Sequence, residues 1–119
     1  QNGLRELETI LDSEAVLLSG RNLGPDAQAR VEELRVVIGS VLAARPKRYL
    51  MLNAHDDHLD EVLALLPGLD APTVLPLARG GMHAVHAVVD GAEIVRLLDP
   101  LKRAGATAIL VLPIEHLIP

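Results

Sequence analysis

The 119-residue chain contains no cysteine. That excludes a disulfide frame, a thiolate nucleophile and a cysteine-ligated zinc site. Phenylalanine and tryptophan are also absent, and Tyr49 is the single aromatic residue. The core must therefore be built from Leu, Val, Ile and Ala, with no large ring to anchor it. The same shortage argues against the RNA-binding kind of small α/β sheet, whose strands need aromatics for base stacking. Positive charge is in deficit, with 11 Lys and Arg against 16 Asp and Glu and a net charge of −5. That argues against a surface that tracks nucleic-acid phosphates. No apolar run reaches the about 20 residues of a membrane-spanning helix, and the N-terminus does not read as a signal peptide. A soluble cytoplasmic protein with no nucleic-acid or membrane partner is expected. The start at Gln1-Asn2-Gly3, without an initiator Met, suggests a piece of a longer chain.

What is present is globular in character: 50% of residues are apolar and 23% charged, well away from a disordered composition. The length predicts one domain, with room for an arm. A small aliphatic core in a short chain is marginal on its own, so oligomerisation is expected. The chain is organised around the run Thr107-Ala108-Ile109-Leu110-Val111-Leu112, bounded by Gly105 and Pro113. Almost wholly apolar and partly β-branched, it reads as a strand buried on both faces, with neighbours on either side.

Upstream, residues 4–18 fit both a helical and an alternating pattern. A loop through Gly20 and Gly24 leads to Pro25, which suits the first position of a helix. Val31, Leu34, Ile38, Val41 and Leu42 stripe that helix to about Ala44, and Pro46 ends it. Tyr49 to Asn53 reads as a first strand. Asp56 and Asp57 open a short helix striped by Leu59, Val62, Leu63 and Leu66 and closed by Pro67-Gly68. Thr73 to Ala78 is a second strand, at an edge or bulged because Pro76 has no N–H to give. Arg79-Gly80-Gly81 turns the chain into a third strand, Met82 to Val89. Ile94, Leu97, Leu98 and Leu101 stripe a helix that Pro100 should kink or break. The order from Arg48 is strand, helix, strand, strand, helix, strand, the ferredoxin-like split βαβ pattern. Right-handed crossovers place the first and third strands centrally, with the helices on one face.

The chemistry-bearing residues form no catalytic signature. His55 and His58 are three apart at a helix start, and so are His83 and His86. The latter pair lies on a strand, where an odd spacing points the rings to opposite faces, so they cannot jointly chelate. Asp56, Asp57, Asp60 and Glu61 read as a solvated helix N-terminus rather than an acid–base pair. His116 beside Glu115 reads as solvent-facing. Arg79-Gly80-Gly81 reads as a hairpin turn, because no strand-to-helix context makes it a phosphate cradle. Catalytic and metal residues are therefore expected to be absent, and the domain suits ligand binding or assembly.

Several blocks, in order, carry a resemblance. They are Tyr49-Leu50-Met51-Leu52-Asn53-Ala54, Leu59 through Leu69, Ala71 through Ala78, Val85 through Val89, and Leu101-Lys102-Arg103-Ala104-Gly105-Ala106 with Ile109 through Glu115. Together they resemble the C-terminal regulatory domain of long-form ATP phosphoribosyltransferase, over residues 48–118. Residues 2–17 are similar to the last stretch of that family's catalytic region. The resemblance implies an α+β, ferredoxin-like βαββαβ sandwich of the ACT/PII-like regulatory kind, preceded by a helical or strand arm. It divides the chain into a remnant of the catalytic region (1–24), a connecting helix (25–47) and the regulatory domain (48–119).

The family joins ATP to phosphoribosyl pyrophosphate, with magnesium, at the first step of histidine biosynthesis, and L-histidine inhibits it by binding the C-terminal domain. The resemblance implies that this chain binds L-histidine, carries no catalytic centre or cofactor of its own, and meets ATP and phosphoribosyl pyrophosphate only through the missing region. It also implies trimers of regulatory domains within a hexameric parent. Positions matching the family's histidine pocket are Asn53, His55, Thr73, Val88 and Ala108. Many members carry an aromatic just before the third strand, where this chain has Gly81-Met82-His83. A ferredoxin-like assembly module without a ligand is the alternative, and a small enzyme of the same fold is a third reading that the missing constellation disfavours. Without partners from the parent, residues 4–18 are not expected to form a stable strand pair, because unpaired edges are sticky. They should be disordered, helical, or paired with another copy.

Overall fold

A computed structural model of the chain describes residues 3–67 and 71–119. Seven elements follow one another: α1 (Pro25–Ala44), β1 (Lys47–His55), α2 (Asp56–Ala64), β2 (Thr73–Pro76), β3 (Met82–Asp90), α3 (Ile94–Arg103) and β4 (Thr107–Pro113). The four strands form one antiparallel sheet in the order β2-β3-β1-β4. The first and third strands are thus central, and from β1 onward the ferredoxin-like βαββαβ pattern is present. The Gly68 of the expected α2 stop lies outside the described residues.

Alternation along the two central strands sets the layers. Leu50, Leu52 and Ala54 of β1 and Val85, Ala87 and Val89 of β3 point to one face, where Leu50 pairs across to Ala87 and Leu52 to Val85. Val62 and Leu66 from α2, and Ile94, Leu101 and Ala104 from the α3 segment, close that face into the core. Leu50, Leu52, Leu101, Val62, Val85 and Val89 are each under 2% exposed. Burying a side chain of this size contributes about 1.5–3 kcal/mol, so these six carry much of the fold without an aromatic. The opposite face presents Tyr49, Met51, Asn53, His86 and Val88, together with Leu75, Leu110 and Leu112. The last three are nearly half exposed.

Three expectations are corrected. The Thr107–Leu112 run is an edge strand that pairs only with β1, not a strand buried on both faces. Leu110, Val111 and Leu112 are 38–49% exposed. An apolar run reports only that its faces avoid water, and here no second cover is found among the described residues. The helix over Pro100 is continuous from Ile94 to Arg103. Its stripe of Ile94, Leu97 and Leu101 holds both turns on the sheet, and the proline removes a single backbone hydrogen bond without breaking it. In α1 the buried residues are Ser40 and Ala44, whereas Leu34, Ile38 and Leu42 of the expected stripe are 41–55% exposed. The helix seats on the domain through its last two turns, by small residues. Its outer surface holds the exposed Glu32–Arg35 pair, where two hydrogen bonds from the guanidinium keep the carboxyl below its usual range.

Residues 4–18 carry no regular hydrogen-bonded element, and Leu4, Leu7, Ile10 and Leu11 are all more than 80% exposed. This agrees with the expectation that they form no strand pair. At the other end α3 closes with a six-to-one hydrogen bond, Ala106 N–H to Leu101 C=O at 2.9 Å, around Gly105 at φ +91°. A Cβ at Gly105 would lie 2.8 Å from the His58 ring, so both conformation and space call for glycine there.

Candidate functional site

The polar residues of the open sheet face are gathered by cross-strand register. Thr73 on β2 stands opposite His86 on β3, and His86 stands opposite Met51 on β1. Tyr49, one pair further along on the same face, turns its hydroxyl to His86 Nδ1 at 2.5 Å, and the two rings meet edge-on at 84°. Beside this pair is a cavity of about 350 Å³. Thr73, His86, Tyr49 and Val88 line it from the sheet, Ala71 from the segment before β2, and Leu117, Ile118 and Pro119 from the C-terminal tail. Among the described residues no lysine, arginine, aspartate or glutamate lines it.

A second feature lies across the sheet. Between Met51 and Asn53 of β1, strand β4 advances from Leu110 to Thr107, one residue more than its partner. That is a β-bulge, and it leaves backbone groups out of the ladder. Ala108 sits in it with φ +49°, the only non-glycine residue with positive φ among those described. Such a conformation costs an L-residue about 1–2 kcal/mol. Asn53 flanks the bulge, half-buried, and its carbonyl faces the Thr107 hydroxyl at 3.4 Å.

The five residues singled out from sequence therefore fall in three places. Thr73 and Val88 line the cavity. Asn53 and Ala108 lie at the bulge, toward the opposite edge of the sheet. β2 and β4 are opposite edges, three strand spacings or about 14 Å apart, so one copy does not unite them. His55 is at the end of β1, where its Nδ1 accepts the Asp57 N–H at 3.3 Å as the cap of α2, and its other ring nitrogen faces Gly81.

The remaining histidines diverge. His58 packs on Gly105. His83 comes within 3.0 Å of Asp56 Oδ1, but the approach is not that of a hydrogen bond, and its Nδ1 is buried without a partner. Among the described residues no three of His, Cys, Asp and Glu converge as metal ligands. His116 is not simply solvent-facing: its ring nitrogen is 2.8 Å from Ser40 Oγ.

Sequence reasoning missed Tyr49 and His86, the tail residues 117–119, and the Ser40–His116 contact. Strand alternation carried one usable signal, since it places His86 on the same face as Val88.

The sequence model of the family described as "HisG, C-terminal domain" matches residues 44–116. The ATP phosphoribosyltransferase of Methanothermobacter thermautotrophicus is 45% identical over 119 residues, covering 99% of this chain and 42% of its own length. That of Cytophaga hutchinsonii is 43% identical over 117 residues, and that of Bacteroides thetaiotaomicron 40% over 117, each covering 98% of this chain and 41% of its own length. The chain spans about two-fifths of the length of these relatives.

Proposed function

The chain belongs to the HisG C-terminal domain family, and from that premise we propose that it is the regulatory domain of an ATP phosphoribosyltransferase, binding L-histidine for feedback inhibition of histidine biosynthesis. The transfer of the phosphoribosyl group from phosphoribosyl pyrophosphate to ATP, with release of pyrophosphate, and the magnesium it uses, belong to the part of the parent outside this chain. A cytoplasmic location goes with that role, and among the described residues no helix is long and apolar enough to cross a membrane.

The observation that carries the reading is the division of the site. One edge of the sheet offers a cavity with the Thr73 hydroxyl, the Tyr49–His86 pair and an apolar wall at Val88. The other edge offers unpaired backbone groups at a strained bulge beside Asn53. A zwitterionic amino acid needs N–H donors for its carboxylate, oxygen acceptors for its ammonium and a walled space for its ring. The two edges supply these between them when the β2–β3 side of one copy meets the β1–β4 side of another. Backbone strain kept at such a position is typical of ligand sites, and the small Ala108 side chain lets a ring approach the main chain. Three copies arranged head to tail would close a ring with three equivalent sites.

Calorimetric titration of the associated chain with L-histidine tests this. Binding should raise the melting temperature by mass action, with a gain of about 2.7 kcal/mol at a hundredfold excess over the dissociation constant. Histamine, which lacks the carboxylate, should bind more weakly because the donors meant for it stay unpaired. No heat and no melting shift at millimolar L-histidine would favour the second reading, a ligand-free assembly module. The half-exposed Leu75, Leu110 and Leu112 on the open face support association under either reading.

A further inference from the structure

Ser40 is the one buried polar residue among those described, 4% exposed on a helix whose preceding turn is open to solvent. Its hydroxyl lies 2.7 Å from the Val37 carbonyl and 2.8 Å from His116 Nδ1. A serine hydroxyl has one hydrogen to give. A carbonyl oxygen cannot donate, so at 2.7 Å that hydrogen must go to Val37, and His116 must supply the proton of the second bond from Nδ1. The Ser40 carbonyl also accepts the Leu117 N–H at 3.0 Å. Two consecutive tail residues thus bind one residue of α1. The residue that makes the second of these bonds, Leu117, also lines the cavity with Ile118 and Pro119.

We propose that this tail is a working wall of the ligand site and a latch to α1, with Ser40 and His116 as positioning residues that couple ligand occupancy to the seating of the helix. The inference rests on the reading of the cavity as part of an L-histidine site and specifies how that site is regulated. A ligand that presses on Leu117 and Ile118 pulls on or settles the two bonds to Ser40. Because α1 is seated through little besides Ser40 and Ala44, a change at Ser40 changes how the helix sits. By linkage the effect is reciprocal: whatever moves α1 alters affinity in the cavity by the same factor.

The test uses the whole chain as wild type, His116→Ala, Ser40→Ala and His116→Asn. The asparagine amide N–H stands in for the imidazole Nδ1–H. In the ligand-free chain, nitrogen-15 spectra should show His116 protonated at Nδ1 and the Leu117 amide protected from exchange. His116→Ala should lose that protection and weaken L-histidine binding by a few-fold to about tenfold, the range that one neutral hydrogen bond spans. Ser40→Ala should do the same, and His116→Asn should restore both. At saturating L-histidine the amide signals of Val37 to Val41 should shift in the wild type and not in His116→Ala. A wild type that binds, beside a His116→Ala chain of equal affinity and equal helix shifts, overturns the coupling alone. An unprotected Leu117 amide in the wild type overturns the latch. A wild type that does not bind L-histidine overturns the ligand reading and the coupling with it, whereas a protected Leu117 amide that His116→Ala exposes still supports the latch.

Discussion

Replacing Ala108 by glycine should stabilise the folded chain or leave it unchanged, although glycine is ordinarily unfavourable in a strand. Ala108 holds φ +49° in the β4 bulge, a conformation that costs an L-residue about 1–2 kcal/mol and glycine nothing. Against that relief stands the extra freedom of glycine in the unfolded chain, about 0.4–1 kcal/mol. The Ala108 side chain is exposed, so little packing is lost. The balance is between about zero and 1.5 kcal/mol in favour of the variant. For an ordered core of this size each kcal/mol moves the melting temperature by about 4–8 °C. Urea unfolding at fixed protein concentration measures it, and an unchanged slope would show that the unfolded state kept its compactness. A loss of more than about 0.5 kcal/mol would refute the argument, because it would mean that the bulge is not left-handed in solution. Ala108→Val separates conformation from size. A β-branched side chain is a steric outlier in this region, so that variant should destabilise clearly even though valine favours strands elsewhere.

Other positions give sharp outcomes. Gly105→Ala should cost about 1–2 kcal/mol from its φ of +91° alone, and more from the His58 ring 2.8 Å away; adding His58→Ala should recover the second part and not the first, as a double-mutant cycle in denaturant will show. Tyr49→Phe removes the hydroxyl bonded to His86 and should lower stability by about 1 kcal/mol, read from the same unfolding curves. Leu110→Asp, at a residue 49% exposed on the open face, should barely change the stability of one copy but abolish self-association in light scattering; retained association would place the interface elsewhere.

Where sequence and structure agree, the signal is short-range. The stripe of α3 and the alternation of Leu50, Leu52 and Ala54 are legible because one period repeats within a few residues. Pro25 and Gly105 mark helix ends through their own backbone preferences. The misreadings come from what lies opposite. A run such as Ile109 to Leu112 looks the same whether its second cover is a helix of its own chain or another molecule. The exposed Leu34 and Ile38 of α1 have the same origin, since their stripe is genuine but nothing among the described residues receives it. Family likeness alone named Thr73 and Val88, which line the candidate cavity. The pairings around them, Tyr49 with His86 and Ser40 with His116, join residues 37 and 76 positions apart. No local pattern encodes such pairs, because register and tail path are fixed only once the sheet has closed.

The two halves of the proposed site have a thermodynamic consequence. With Thr73 and Ala108 on opposite edges of one sheet, a single copy presents a ligand with only one set of partners, and the donors or acceptors meant for its other end remain in water. Occupancy of a site completed by a neighbour favours the associated form by mass action, and association raises affinity by the same factor. On that proposal the cavity and the half-exposed Leu110 and Leu112 would serve one event. Apolar burial between copies would supply the non-directional drive, and the bulge and the Thr73 hydroxyl the selectivity for the ligand. That division suits a chain without large aromatics. Its core holds one copy together, and the surface it leaves uncovered is available to make binding depend on assembly.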